Sequence, residues 1–145
     1  MCMLVGEYYM KISAQNKISI PKDFVRVCET DEFIVKKDDF MGCLVVYPLK
    51  NWKEELAFIK AKVRESITSH ELQNYFRIFM KNTHKTKLIK NSTRITIPQK
   101  FMKVFNHENE VVLVGLDHKL EIWPASHYGE IENYFKNLGE QFLQK

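Results

Sequence analysis

Two stretches of the chain alternate polar with apolar residues in the same way: Lys17-Ile18-Ser19-Ile20-Pro21 and, 77 residues later, Arg94-Ile95-Thr96-Ile97-Pro98. Alternation of this kind marks half-buried strands. The correspondence continues past the prolines, where Lys22-Asp23-Phe24-Val25-Arg26-Val27-Cys28 meets Gln99-Lys100-Phe101-Met102-Lys103-Val104-Phe105 with basic and apolar positions in step. Upstream, Ile12 falls on Ile89. After one extra residue in the second copy, Glu32-Phe33-Ile34-Val35 meets Glu110-Val111-Val112-Leu113. After two extra in the first, Leu44-Val45-Val46-Tyr47-Pro48 meets Leu120-Glu121-Ile122-Trp123-Pro124, and Trp52 meets Tyr128. A repeat found this way is a structural unit.

Each copy reads as strand, loop, strand, helix, strand, loop, strand. Pro21 and Pro98 suit the first turn of the short helices carrying Phe24 and Phe101, where a missing N–H costs nothing. Phe33–Val35 with Leu44–Tyr47, and Val111–Val114 with Leu120–Trp123, are expected to form the second strand pairs. A copy of about 45 residues cannot bury a core of its own, so the two copies are expected to share one. Helices fill the remainder. Thr68 and Glu71 form a capping-box pair ahead of Leu72, Tyr75, Phe76, Phe79 and Met80 on one helical face. Trp52, Leu56, Ile59 and Val63 make a similar stripe, as do Tyr128, Ile131, Tyr134, Phe135 and Leu138. These stripes read as core or subunit-packing surfaces. The predicted organisation is a first repeat over 7–52, a helical linker over 53–83, a second repeat over 84–128 and a C-terminal helix over 129–145.

Charge changes the picture only when the chain is divided. The net charge is +4, but the 36 residues from Leu72 to His107 hold eight bases and no Asp or Glu, and the rest of the chain sums to −4. A segment of that kind suits a polyanionic partner. Cys2, Cys28 and Cys43 are odd in number and lack the spacing of a zinc knuckle or redox motif. Cys28 and Cys43 lie in apolar stretches and are expected to be buried free thiols.

No constellation for catalysis is present in the sequence. His70, His84, His107, His118 and His127 are scattered without metal-ligand spacing, and among five glycines there is no phosphate loop or nucleophile elbow. Asp38-Asp39 and Glu54-Glu55 are neighbours whose side chains diverge, as solvated charges do. Tyr8-Tyr9 reads as packing beside a strand, with stacking on bases as the other use. The expectation is therefore no enzyme, metal, cofactor or small-molecule substrate. No apolar run is long enough to span a membrane, and Met1 to Met10 has neither a basic leader nor a small-residue cleavage site, so a cytoplasmic location is expected.

Gly6-Glu7-Tyr8, Ser19-Ile20-Pro21, the segment Gly42-Cys43-Leu44-Val45-Val46-Tyr47-Pro48-Leu49-Lys50-Asn51-Trp52, Val112-Leu113-Val114-Gly115 and Leu120-Glu121-Ile122-Trp123 together resemble the MraZ family of bacterial transcriptional regulators, in order and over nearly the whole chain. The resemblance implies an α+β fold in which the duplicated repeats interlock as an AbrB-type swapped-hairpin β-barrel with flanking helices. It also implies a multi-subunit ring that grips double-stranded DNA at tandem promoter repeats, in the nucleoid, upstream of the cell division and cell wall operon. The alternative is a ring-forming structural or protein-binding descendant that has lost operator recognition.

The family's DNA loops run Asp-x-x-Gly-Arg, whereas this chain has Ser13-Ala14-Gln15-Asn16-Lys17 and Lys90-Asn91-Ser92-Thr93-Arg94. Neither loop keeps the acid. Ser13 is a weaker acceptor than a carboxylate and Lys90 repels a guanidinium, so looser orientation is expected. Asn16 tolerates the left-handed conformation that glycine supplies but β-branched Thr93 does not, so the second loop is expected to turn differently. The candidate DNA-binding residues are Lys11, Ser13, Gln15, Asn16, Lys17, Lys87, Lys90, Asn91 and Arg94. Arg94 is expected to read bases, and Lys11, Lys17 and Lys90 to hold phosphates.

Overall fold

A computed structural model describes residues 4–38, 41–65 and 68–143. Cys2, Asp39 and the last two residues of the C-terminal segment lie outside these. The first copy contains β1 (Leu4–Lys11), β2 (Lys17–Ser19), α1 (Lys22–Cys28), β3 (Glu32–Asp38) and β4 (Cys43–Pro48). Two linker helices follow, α2 (Leu49–Arg64) and α3 (Ser69–Lys81). The second copy contains β5 (Thr83–Lys87), β6 (Arg94–Thr96), a 3-10 helix (Gln99–Phe105), β7 (Glu110–Asp117) and β8 (Leu120–Pro124), and α4 (Ala125–Leu143) closes the chain. The fold is α+β, with every described strand pairing antiparallel.

The strand order β1-β7-β8-β4-β3-β5 shows how the copies depend on each other. Within each copy the last two strands pair as expected, Val35 opposite Val46 and Leu113 opposite Ile122. The first strand of each copy instead leaves its own unit: β1 pairs with β7, and β5 with β3. β2 and β6 form a separate two-stranded ribbon.

In that ribbon Ile18 pairs with Ile95, its own counterpart in the repeat, and in the sheet Val45 likewise pairs with Glu121. A residue opposite its own equivalent is what a twofold axis produces, so a pseudo-twofold passes through both points. It relates Lys17 to Arg94 and Ser19 to Thr96.

The shared core follows from the alternation. Ile18, Ile20, Ile95 and Ile97 point inward to join Phe24, Phe101, Leu44, Val46, Leu120 and Ile122. On the opposite sheet face, Ile34, Val45, Tyr47, Trp52 and Trp123 form a second cluster beneath the helices. β4 is covered on both faces and is accordingly buried throughout. Where β1 meets β7, Gly6 sits opposite Gly115. A Cβ at Gly115 would lie 2.6 Å from the Val5 nitrogen and 2.7 Å from the Leu4 carbonyl carbon, so only backbone movement can make room. Gly115→Ala is expected to cost about 1–3 kcal/mol, as overpacking does; a denaturant midpoint equal to that of the parent chain would contradict the close approach.

The Thr68 capping box forms, with Thr68 Oγ1 accepting from the Glu71 N–H at 3.2 Å and the Thr68 N–H donating to Glu71 Oε2 at 3.0 Å. Four expectations need correction. Pro21 and Pro98 stand one residue before their helices, with ψ of 136° and 140°, and so cap them rather than begin them. The second helix is 3-10, because its backbone closes i to i+3 bonds at Phe101 N–H to Pro98 and at Asn106 N–H to Lys103. Cys28 is disulfide-bonded rather than a buried free thiol, and lies half-buried at the end of α1, whose buried residue is Phe24. Tyr8 packs edge-on against Phe24 as expected, but Tyr9 is 70% exposed, pointing to the other side of the strand. Cys43 is a buried free thiol, its titration pushed up first by burial and then by Glu121 and Asp38.

Candidate nucleic-acid interface

The two candidate loops join the first and second strands of each copy, and so border the β2–β6 ribbon. The ribbon pairs Lys17 with Thr96, Ile18 with Ile95 and Ser19 with Arg94. The ladder spans two residue steps, about 7 Å at the usual strand rise. The loops therefore flank a short ribbon instead of standing at opposite ends of the molecule. Because Ile18 and Ile95 face the core, Lys17, Ser19, Arg94 and Thr96 share the outer face.

The first loop is closed by its own backbone and by the second copy. The Ser13 N–H donates to the Lys17 carbonyl at 3.0 Å, and the Asn16 N–H to the Ser13 carbonyl at 3.0 Å. Asn16 is left-handed, with φ of 61°. Ser13 Oγ accepts from the Lys17 backbone N–H at 3.1 Å. The residue that replaces the carboxylate fixes the main chain of Lys17 and not its cationic head. The Asn16 carbonyl accepts from the Ile97 N–H at 2.7 Å, and its pseudo-equivalent, the Thr93 carbonyl, accepts from the Ile20 N–H at 2.8 Å.

The second loop does turn differently. Its left-handed residue is Asn91, with φ of 61°, and not Thr93. Ser92 Oγ donates to the Ile89 carbonyl at 2.8 Å and accepts from the Arg94 N–H at 3.2 Å. The Ser92 hydroxyl thus closes the turn together with the left-handed Asn91 and the backbone bonds from the Ile89 N–H to the Arg94 carbonyl and from the Ser92 N–H to the Ile89 carbonyl.

The candidate cations fall into two groups. Lys11 ends β1 opposite Glu110, and Lys87 ends β5 opposite Glu32. Lys87 Nζ also lies 3.5 Å from Asp31, and Lys85 Nζ 3.7 Å from Glu32. Part of the basic block is therefore offset by Asp31 and by Glu32 at the start of β3, although exposed pairs of this kind hold weakly. Among the described residues, Lys17, Lys90 and Arg94 are paired with no carboxylate. Gln15, Lys90, Asn91 and Arg94 are exposed, and Ser13, Asn16 and Lys17 half-buried.

Three residues of this surface escaped the sequence reading. Ser19 and Thr96 were signalled by the alternation that placed their isoleucine neighbours inward. Gln99, whose Oε1 accepts from Asn16 Nδ2 at 2.8 Å, carried no such signal, because its partner is 83 residues away.

Comparison with known proteins bears on what such a surface belongs to. Residues 78–142 match the family described as "MraZ protein, putative antitoxin-like". A protein of Bacteroides fragilis named transcriptional regulator MraZ is 31% identical over 126 residues, which cover 85% of this chain and 78% of that protein. The chain belongs to the MraZ family. The Clostridium acetobutylicum protein of the same name is 30% identical over 129 residues, covering 88% of this chain and 86% of its own. That of Alkaliphilus metalliredigens is 29% identical over 129 residues, covering 88% and 85%. The MraZ family model matches the second copy, where the basic loop Lys90–Arg94 lies, while the alignments with these relatives span most of the chain.

Among the described residues there is no group of three or more His, Cys, Asp or Glu placed to hold a metal ion. Among them, too, no helix is long and apolar enough to cross a membrane.

Proposed function

We propose that this MraZ-family chain is a transcriptional regulator that binds double-stranded DNA through the outer face of the β2–β6 ribbon and its two flanking loops. The observation that carries the reading is the grouping of Lys17, Ser19, Arg94 and Thr96 on one outward face, with Lys17, Lys90 and Arg94 unpaired with carboxylates among the described residues. A two-stranded ribbon is narrow enough to enter a major groove. Arg94 presents the planar fork that matches the two acceptors of guanine, while Lys17, Lys11 and Lys90 supply charge that any phosphate satisfies.

On this reading the repeats over 7–52 and 84–128 interlock as an AbrB-type barrel. The cross-copy pairings of β1 with β7 and β5 with β3 support that assignment. Several chains form a ring, sealed by apolar helix surfaces such as Phe58, Ile78, Tyr134 and Phe135, which are 45–71% exposed. Each ring grips tandem promoter repeats in the nucleoid, by resemblance those upstream of the cell division and cell wall operon. Moderate contacts multiplied by effective concentration give a tight grip when the repeats are correctly spaced.

The test is competition between duplex from the chain's own upstream region and unrelated duplex, on samples sized by light scattering. A multi-subunit particle is expected, with unrelated DNA competing at least about fivefold less well, the least that one discriminating base contact gives. A particle for which both DNAs compete equally would instead identify a ring-forming descendant without operator recognition. A concentration-independent monomer would remove the ring.

A further inference from the structure

We infer that Gln99, a residue outside both loops, is a positioning residue that latches the first loop in its DNA-binding shape. The inference rests on the DNA-binding reading above and adds to it a residue that need not touch DNA. The first loop is held from the other copy at two atoms of one residue. The Asn16 carbonyl accepts from the Ile97 N–H at 2.7 Å, and Asn16 Nδ2 donates to Gln99 Oε1 at 2.8 Å. Asn16 is also the loop's left-handed residue. Fixing its side chain fixes the peptide plane that leads into Lys17, the first residue of the ribbon. In the family motif this position is glycine, which offers no side chain to hold, so the latch belongs to the departure from the motif.

The second loop provides the contrast within one molecule. The pseudo-equivalent of Gln99 is Lys22, whose ammonium has no acceptor to offer. The Thr93 carbonyl keeps its bond from the Ile20 N–H at 2.8 Å, but the side-chain bonds of that loop are local, made by Ser92 Oγ to the Ile89 carbonyl and the Arg94 N–H beside the loop's own backbone bonds. Both loops are thus tied to the opposite repeat through a main-chain carbonyl, but only the first is also held there by a side chain. A hydrogen bond at an exposed site contributes modestly, but it restricts a left-handed asparagine that otherwise samples other conformations.

The test uses the full chain and amide hydrogen exchange at Ile97, with Ile20 as the pseudo-symmetric control. Gln99→Leu is expected to speed exchange at Ile97 severalfold and leave Ile20 unchanged, while Gln99→Glu, which keeps an acceptor, stays near the parent rate. In the competition assay Gln99→Leu is expected to lower the preference for the upstream duplex about three- to tenfold, the range that one hydrogen bond supplies. Asn16→Gly retains the left-handed turn without the latch, so adding Gln99→Leu to it should change nothing further. Unchanged exchange at Ile97, or equal acceleration at Ile20, would overturn the latch whether or not DNA binds. Faster exchange at Ile97 with unaltered DNA preference would overturn the positioning role. A parent chain that shows no preference would defeat the DNA reading and the role in recognition together, leaving exchange to decide whether the contact itself holds.

Discussion

Replacing Phe101 by alanine is expected to cost about 3–5 kcal/mol and to lower the stability of both repeats in a single transition. Phe101 is 2% exposed and sits in one core with Ile18, Ile20 and Phe24 of the first copy as well as Ile95, Ile97 and Phe105 of the second. Truncation removes a full aromatic side chain from water-free surroundings and leaves a cavity walled by both copies. Neighbours that belong to a paired ribbon cannot collapse into it without breaking Ile18 from Ile95. The exchanged strands make the loss common property: β1 is paired with β7 and β5 with β3, so neither copy retains a complete sheet if the other melts. The check is chemical denaturation followed at once by tryptophan fluorescence and far-ultraviolet circular dichroism. Coincident curves shifted together are expected. Two transitions, with only the one assigned to the second repeat displaced, would mean that the copies fold as separate units.

The same exchange marks the limit of what the sequence discloses. Apolar alternation tells which face of a strand is buried, and so Ile18, Ile20, Ile95 and Ile97 were legible as core, and the pairs β3–β4 and β7–β8 as neighbours. It does not tell which strand lies alongside. β1 beside β7 rather than beside its own β2 is a choice of topology, settled by the requirement that two small units close one core. Charge along the chain was likewise only part of what the fold does with it. Leu72 to His107 lacks acids along the chain, yet β5 lies against β3, where Asp31 and Glu32 meet Lys87 and Lys85. Segregation in sequence is not segregation in space. Cys28 shows the same limit locally, because its apolar surroundings signalled packing against the core, which it does half-buried, but not that its thiol is disulfide-bonded. The turn shapes, in contrast, were readable, since the steric cost of a left-handed β-branched residue is local and directed the second loop away from Thr93.

Arg94→Ala is expected to weaken binding to the upstream duplex by about 1–3 kcal/mol and binding to random duplex much less. Lys90→Ala is expected to weaken both nearly alike. The distinction follows from side-chain chemistry and from where the structure puts each residue. Arg94 begins β6, opposite Ser19, so its backbone is held in the ribbon and by Ser92, and its exposed guanidinium leaves from a fixed point. A fixed origin is what bidentate recognition of a guanine edge requires. Lys90 stands in the loop itself, exposed, with a flexible stem and a single point charge. Its contribution is release of a counterion, which every duplex offers equally, so its loss should lower the salt slope by roughly one. Titrating both variants on both DNAs at several salt concentrations separates the two effects. Equal losses for Arg94→Ala on the two DNAs would transfer Arg94 to the phosphate-holding group and leave the ribbon with an electrostatic, non-selective grip.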